Sequence, residues 1–255
     1  MSSPDFFHGK TAVITGAASG VGRATSLIFL REGANVVGLD VNPEGLGELE
    51  RETGLGGARF RAIVTDITSR EAVDEAVATA EAEFGGVDFL FNSAGAAFRR
   101  SPFMEIDDEL MERTFALNFT GSYYTMQAVI PGMLERGHGV IVNVASMAHK
   151  RGGPGSSIHY AAAKGAVLSM TLGVAREFAS RGIRALSVSP TSINTPFQAT
   201  ANSSPEFVQQ FMNDIPMKRF AEPEEIGELV LFLCSDKCEF MTADTVYVSG
   251  GSGYR

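Results

Sequence analysis

The chain of 255 residues has only two cysteines, Cys234 and Cys238, too few for a disulfide-stapled scaffold. Their C-x3-C spacing has no histidine cluster beside it, so a metal site is not expected. The thiols read as core filling on the inner side and end of a late helix, in a reducing compartment. Basic runs are missing too. Net charge is −9 and no Lys/Arg stretch is long enough to track a phosphate backbone, which argues against nucleic-acid binding. No apolar run reaches the length of a membrane span. Met1 to Lys10 lacks the apolar core of an export signal, and the expected location is the cytoplasm. No internal repeat, low-complexity tract or interdomain linker is visible. With 44% hydrophobic and 20% charged residues, the composition is that of a globular protein and excludes disorder. Residues 1–255 read as a single domain, a size that α/β folds reach without splitting.

What the chain does have is strand-like and helix-like segments in alternation. The apolar run ending in Ala12-Val13-Ile14 reads as the first strand, followed by Val36–Asp40, Arg59–Ile67 and Val87–Phe91. Val140–Val144, Ile183–Val188 and Thr245–Val248 complete the set. Asn42-Pro43 opens a helix with proline at its first position, and Ser69 caps another whose inner face carries Ala72, Val73, Ala76, Val77 and Ala80. Asp107 to Glu135 predicts two helices, a short one before Asn118 and a long one after it. Tyr160–Ser180 and Pro223–Ser235 predict two more. Alternation of this kind implies right-handed βαβ units and a doubly wound parallel sheet of about seven strands with helices on both faces.

The stretch Thr15-Gly16-Ala17-Ala18-Ser19-Gly20-Val21-Gly22 joins the first strand to a helix marked by Val21, Ala24, Leu27 and Ile28. Each glycine has a use: Gly16 for the sharp turn, Gly20 for the approach of backbone N–H groups to a phosphate, Gly22 for close helix–strand packing. The helix N-terminus then offers unpaired N–H groups and a partial positive charge to a pyrophosphate. With Asp40 ending the next strand, the pattern is that of a Rossmann-type dinucleotide site. A carboxylate at Asp40 accepts hydrogen bonds from a ribose and repels a 2′-phosphate, and Ala17, Ala18 and Val41 offer no cation for one, so NAD is the expected cofactor.

Tyr160-Ala161-Ala162-Ala163-Lys164 puts a phenol and an ammonium one helical turn apart. A tyrosine titrates near ~10 and is a poor base at neutral pH. A neighbouring ammonium, together with the positive ring of an oxidised nicotinamide, is expected to lower that pKa.

Read together, these motifs resemble those of the short-chain dehydrogenase/reductase family, and the resemblance runs over essentially the whole chain. Thr15 to Gly22 is similar to its T-G-x-x-x-G-x-G, and Asn92 to Gly95 resembles its N-N-A-G with Ser93 in place of the second asparagine. Asp66-Ile67 resembles the acidic–aliphatic pair at the adenine ring. Asn118, Ser146, Tyr160 and Lys164 match the catalytic tetrad. The resemblance implies Tyr160 as general acid/base, Ser146 as donor to the substrate oxygen, Lys164 as ribose ligand and tuner of Tyr160, and Asn118 as holder of a relay water. It further implies cofactor contacts from Gly16, Ser19, Gly20, Val21, Gly22 and Asp40 in the first half. Beside Asp66 and Ile67 it adds Asn92, Ala94 and Gly95, then Pro190, Ile193 and Thr195, with Tyr160 and Lys164 themselves. Two features depart from the family pattern. Pro190-Thr191 replaces its P-G, and the Ser146–Tyr160 interval is about a residue longer and rich in glycine (Gly152, Gly153, Gly155). Both changes bear on the substrate pocket.

The activity implied is NAD-dependent interconversion of a secondary alcohol and a ketone, by a homotetramer or homodimer. An NADPH-linked 3-oxoacyl reductase is the alternative among enzymes, and a non-catalytic NAD/NADH-sensing protein the alternative of another class. Thr191 to Glu222 is long for an α/β connection. Its Phe197, Phe207, Phe211, Met212, Ile215, Met217 and Phe220 suit either a substrate lid or two short helices packed permanently on the body. Arg99 and Arg100 follow the Asn92–Gly95 turn, and His149, Lys150 and Arg151 follow Ser146. They either grip an anionic substrate or are solvated and paired with Glu105, Asp107 and Asp108. His159, next to Tyr160, is expected to point elsewhere, and His8 and His138 to sit in surface turns.

Overall fold

In the computed structural model, residues 5–197 and 204–252 are described, apart from the Phe207 side chain. The expectations that fall on Phe207 and on the last residues of the chain lie outside them. Strand β1 (Thr11–Thr15) leads into helix α1 (Gly20–Arg31), then β2 (Asn35–Asp40), α2 (Pro43–Thr53), β3 (Phe60–Val64), α3 (Arg70–Phe84) and β4 (Phe89–Asn92). Helices α4 (Asp108–Phe115) and α5 (Gly121–Arg136), strand β5 (Gly139–Val144), helix α6 (Ile158–Phe178) and strand β6 (Ile183–Pro190) follow. Helices α7 (Pro205–Asp214) and α8 (Pro223–Cys234) and strand β7 (Thr245–Val248) complete the order. The strands form one seven-stranded sheet in the order β3-β2-β1-β4-β5-β6-β7. Every neighbouring pair is parallel.

Strand residues alternate between the two faces, as the period of the pleat requires. Ala12 and Ile14, Phe89 and Phe91, and Val140 and Val142 enter the layer of α1, α2 and α8. Val13, Leu90 and Ile141 enter the layer of α3, α5 and α6. Phe7, Phe29 and Phe89 pack as an aromatic cluster with ring centroids 5.5 to 5.7 Å apart. The helix starts follow their caps: Asn42 accepts from Glu44 N and Gly45 N, and Ser69 from Ala72 N. Cys234 and Cys238 are buried and free, and burial pushes the Cys234 thiol up to about 12. Among the described residues no helix is long and apolar enough to cross a membrane.

Two elements differ from the sequence reading in their bounds, and the long loop after β6 is tied at its base. The third strand stops at Val64, short of Ile67, because the Asp66 carboxylate captures Thr68 N at 2.9 Å and Thr68 Oγ1 at 2.7 Å and turns the chain. Helices α4 and α5 are not separated by a break; a π-helical turn at Ala116–Thr120 carries one into the other, with Asn118 inside it. The long connection after β6 is closed at its base by main chain: Asn194 N donates to Ala221 O at 2.8 Å and Ala221 N to Ser192 O at 3.1 Å.

Candidate active site

Open parallel sheets bind ligands at the carboxyl ends of their strands, where the strand order reverses, and here that point lies between β1 and β4. A cavity of about 460 Å³ sits over it. The buried Thr15 hydroxyl fixes its floor by accepting from Ser93 N at 3.1 Å and Ala94 N at 3.0 Å, which locks the β1 and β4 ends together. Gly16 adopts φ +70°, and a Cβ there would stand 3.0 Å from the Ala94 backbone. A Cβ on Gly22 would meet Gly16 O at 2.2 Å, so only glycine allows α1 to sit against the loop. Ser19 at the α1 N-cap makes no side-chain capping bond, and Ser19, Gly20 and Val21 line the cavity. This leaves helix N–H groups for an anion.

At one end of the cavity Asp40 and Asp66 stand at the tips of β2 and β3. The Asp40 carboxylate accepts from Ala18 N at 3.0 Å through one oxygen and from Asn42 N at 2.9 Å through the other, so its position is fixed by backbone. Ile67 lies beneath, buried against Gly121, where a Cβ would stand 2.5 Å from its Cδ1.

At the other end, Tyr160 and Lys164 project from one face of α6 and Ser146 from the end of β5. Lys164 is 3% exposed, donates from Nζ to Val144 O at 2.8 Å and stands 5.9 Å from the centre of the Tyr160 ring. Burial lowers the Lys164 ammonium to about 8. Burial also pushes the Tyr160 phenol up to about 12, against a hydrogen bond from Ser146 that favours the phenolate. In the protein alone desolvation dominates the Tyr160 phenol; the expected lowering concerns the Lys164 ammonium together with an oxidised nicotinamide ring. The Ser146 hydroxyl also accepts from Ala148 N at 3.1 Å, which fixes its rotamer.

Most of the residues implied for the cofactor meet in this cavity: Ala94 and Gly95 after β4, and Pro190, Ile193 and Thr195 after β6 line it beside the glycine loop. Gly22, spent on packing α1 against the loop, and the two asparagines do not. The Asn92 carboxamide is turned into the core, donating to Asn143 Oδ1 at 2.9 Å and accepting from Thr125 Oγ1 at 2.7 Å. It braces β4, β5 and α5 and does not line the cavity. Asn118 is fully buried, with Nδ2 donating to Ala96 O at 2.8 Å and Thr114 O at 3.0 Å, and Oδ1 accepting from Ala96 N at 3.2 Å. Its side chain holds the segment carrying Gly95 and lines no part of the cavity.

The substrate candidates also separate. Arg100 and Phe197 line the cavity, with Phe197 at 5.6 Å from the Tyr160 ring. Arg99 does not, because it forms an ion pair with Asp107 and donates to Ser101 Oγ. His149 and Lys150 do not either: the His149 ring stacks on Tyr247 and Lys150 Nζ lies 3.6 Å over the same ring, at the β7 edge of the sheet. Arg151 and Phe211 complete that wall. Thr191 lines the cavity, but its hydroxyl is shared with Ser252 Oγ at 3.0 Å. Sequence reasoning missed the Thr15 hydroxyl and the contact of buried His159 Nε2 with Ala97 O at 3.1 Å. Thr15 opens the glycine motif, yet its spacing does not say which backbone groups the hydroxyl ties, and an imidazole bonding to a carbonyl leaves no spacing signal.

The charged residues of the cavity are divided between its two ends. Among its described lining residues the carboxylates, Asp40 and Asp66, are at the β2–β3 end, and the cations, Lys164, Arg100 and Arg151, at the β4–β5 end.

Residues 16–253 match the family model described as enoyl-(acyl carrier protein) reductase. The chain is 36% identical over 246 residues to 3-oxoacyl-[acyl-carrier-protein] reductase FabG of Thermotoga maritima, covering 96% of this chain and 98% of that one. It is 34% identical to 2-keto-3-deoxy-L-fuconate dehydrogenase of Xanthomonas campestris pv. campestris, covering 96% of this chain and 80% of that one. A crystal structure of 3-ketoacyl-(acyl-carrier-protein) reductase from Brucella melitensis complexed with NADH superposes with a TM-score of 0.90. The two are 33% identical, and the match covers 97% of this chain and 99% of that one.

Proposed function

The chain belongs to the short-chain dehydrogenase/reductase family, and we propose that it is an NAD-dependent oxidoreductase interconverting a secondary alcohol and a ketone. The observation that carries this reading is the meeting of Tyr160, Ser146 and Lys164 at one end of a cavity whose other end holds a backbone-fixed Asp40. The residues present suit a dinucleotide. A helix N-terminus and a close-packed glycine loop take the pyrophosphate, and Asp40 accepts from the ribose hydroxyls while opposing a 2′-phosphate. Bound NAD supplies the hydride acceptor, or the donor in reverse.

The side chains do the rest. In oxidation Tyr160 as phenolate takes the alcohol proton while the carbinol C–H bond breaks with its electron pair; in reduction Tyr160 returns the proton to the carbonyl oxygen. Ser146 donates to that oxygen as negative charge gathers on it. Lys164, one turn from Tyr160, favours the phenolate and offers its remaining N–H groups to the nicotinamide ribose. Phe197 and Phe211 close the substrate side, and the Thr191–Glu222 connection that carries them is read as a lid. Phe232, Tyr247 and Leu172 leave half-exposed apolar surface around α8, β7 and α6, which suits assembly as a homotetramer or homodimer. A monomer mass by light scattering at micromolar concentration would refute that assembly.

A second reading, an NADPH-linked 3-oxoacyl reductase, has the named reductase relatives in its favour. Asp40 speaks against it. A nucleotide sensor would have no use for the Ser146–Tyr160–Lys164 set. Screening alcohols and ketones by NADH and NADPH absorbance decides among the three: turnover with a clear NAD(H) preference is expected. Equal kcat/KM with NADP(H) would overturn the cofactor assignment, and no turnover with either would favour the sensor.

A further inference from the structure

Two cations line the substrate end of the cavity, and their placement is built. Arg100 follows β4, and its Nη1 donates to the carbonyls of Pro154 and Gly155, each at 2.9 Å. Beside it Ser101 N donates to Ser156 O at 2.8 Å, so the post-β4 and post-β5 loops are clasped together. Both loops hold a non-glycine residue in the left-handed region, Phe98 at φ +52° and Ser156 at φ +60°. Such backbone costs on the order of 1–3 kcal/mol and persists where its surroundings dictate it. From the second loop Arg151 lies over Phe211, its guanidinium carbon 5.1 Å from the ring centre. Carboxylates among the described lining residues are confined to the opposite end of the cavity. Met147, Pro154, Phe197 and Phe211 add apolar surface to the lining of the same cavity, with Phe211 directly beneath the Arg151 guanidinium.

We propose that Arg100 and Arg151 form an anion subsite, and that the substrate is a hydroxy or oxo acid in which an apolar body joins the reacting carbon to a carboxylate or sulfonate. This rests on the oxidoreductase reading of the same cavity and narrows its substrate class. A guanidinium grips such a group through two parallel hydrogen bonds, and the apolar wall strengthens the pairing by excluding water. Burial already disfavours the Arg100 charge, a cost that a bound anion offsets. The cation pair also keeps the substrate's charge away from Asp40 and Asp66, which orients the reacting carbon toward Tyr160.

The test uses NAD⁺-loaded protein, on which a ketone binds without reacting, and three acid–amide pairs of different length. These are 4-oxopentanoate, 6-oxoheptanoate and 4-acetylbenzoate, each with its neutral amide, titrated by calorimetry. At least one acid binds tenfold or more tighter than its amide, a difference of about 1.4 kcal/mol. Arg100→Gln, which keeps a donor for the Pro154 and Gly155 carbonyls, and Arg151→Gln each cut that ratio at least threefold, with amide affinity and melting temperature retained. Equal binding of acid and amide in all three pairs, or an unchanged ratio in both variants, overturns the subsite. Absence of saturable NAD⁺ binding overturns the oxidoreductase reading instead, and the acid–amide ratio on the cofactor-free protein then decides the subsite alone.

Discussion

Around Asp40 the cavity wall is a close-packed glycine loop and side chains pinned by main-chain N–H groups, whereas around Arg100 it is side chains held by two clasped loops. In the first region Thr15 ties β1 to β4, a Cβ on Gly22 would collide with Gly16 O at 2.2 Å, and the Asp40 carboxylate is pinned by Ala18 N and Asn42 N. In the second, Arg100 and Arg151 come from loops of irregular conformation, and the neighbouring Arg99, His149 and Lys150 have gone to other partners. The first region can accept one kind of ligand, because its geometry leaves no side chain free to adapt. The second sets specificity with exchangeable side chains on a fixed frame. On the proposed reading, the first region takes the cofactor and the second the substrate.

The comparison is tested hardest where the two regions meet. Tyr160→Phe removes only the proton-transfer oxygen, so kcat falls by roughly 10²–10⁴ while NAD affinity stays within twofold. A variant retaining a tenth of wild-type kcat would show that another group moves the proton. Asp40→Asn keeps an acceptor for the loop N–H groups and removes the charge. It is expected to narrow the preference for NADH over NADPH by roughly 10–100-fold without lowering kcat with NADH. If the preference is unmoved, Asp40 does not select the cofactor.

The pH dependence separates the regions in a third way. Tyr160 must be ionised to accept a proton, so kcat for oxidation rises with pH through its apparent pKa, and kcat for reduction, which needs the phenol, falls. In the protein alone burial holds that phenol near 12, and a cation beside it moves the profile down. Lys164→Met is expected to shift the rising limb upward by about one pH unit. An unshifted limb would mean that Lys164 does not tune Tyr160. The smallest effect belongs to Thr191→Ala, which removes the hydroxyl shared with Ser252. Stability should drop by no more than about 1 kcal/mol, read as a modest fall in melting temperature, with kcat/KM nearly unchanged. A large loss of kcat would place that hydroxyl at the reacting centre.

The parallel sheet of seven strands, the glycine loop and Asp40 were legible in the sequence because each demands a particular residue type in a particular pattern or spacing. Gly22 fits where a methyl cannot, and alternating Ala12, Val13 and Ile14 can serve only a sheet covered on both faces. Asn92 and Asn118 were visible by spacing, which does not say where their carboxamides turn. Spacing marks a position, yet both carboxamides are spent on Asn143, Thr125 and Ala96 and do not reach the cavity. The arginine pair could not be sorted by sequence. Arg99 and Arg100 are adjacent on a loop, and only the fold brings Asp107 to one and the Pro154 and Gly155 carbonyls to the other. The Tyr160–Lys164 spacing gave the pair but not its energetics, because desolvation depends on everything packed around α6.

The central claim is hydride exchange between bound NAD and a carbonyl carbon at Tyr160. It is met most directly by supplying NADH stereospecifically deuterated at either face of nicotinamide C4, together with a ketone the enzyme turns over, and analysing the alcohol by mass spectrometry. The account predicts one deuterium on the carbinol carbon from one face only, no deuterium from the other, and incorporation by the Tyr160→Phe protein slowed in step with its roughly 10²–10⁴ loss of kcat. Alcohol without deuterium from either face, or label washed out into solvent, would contradict it.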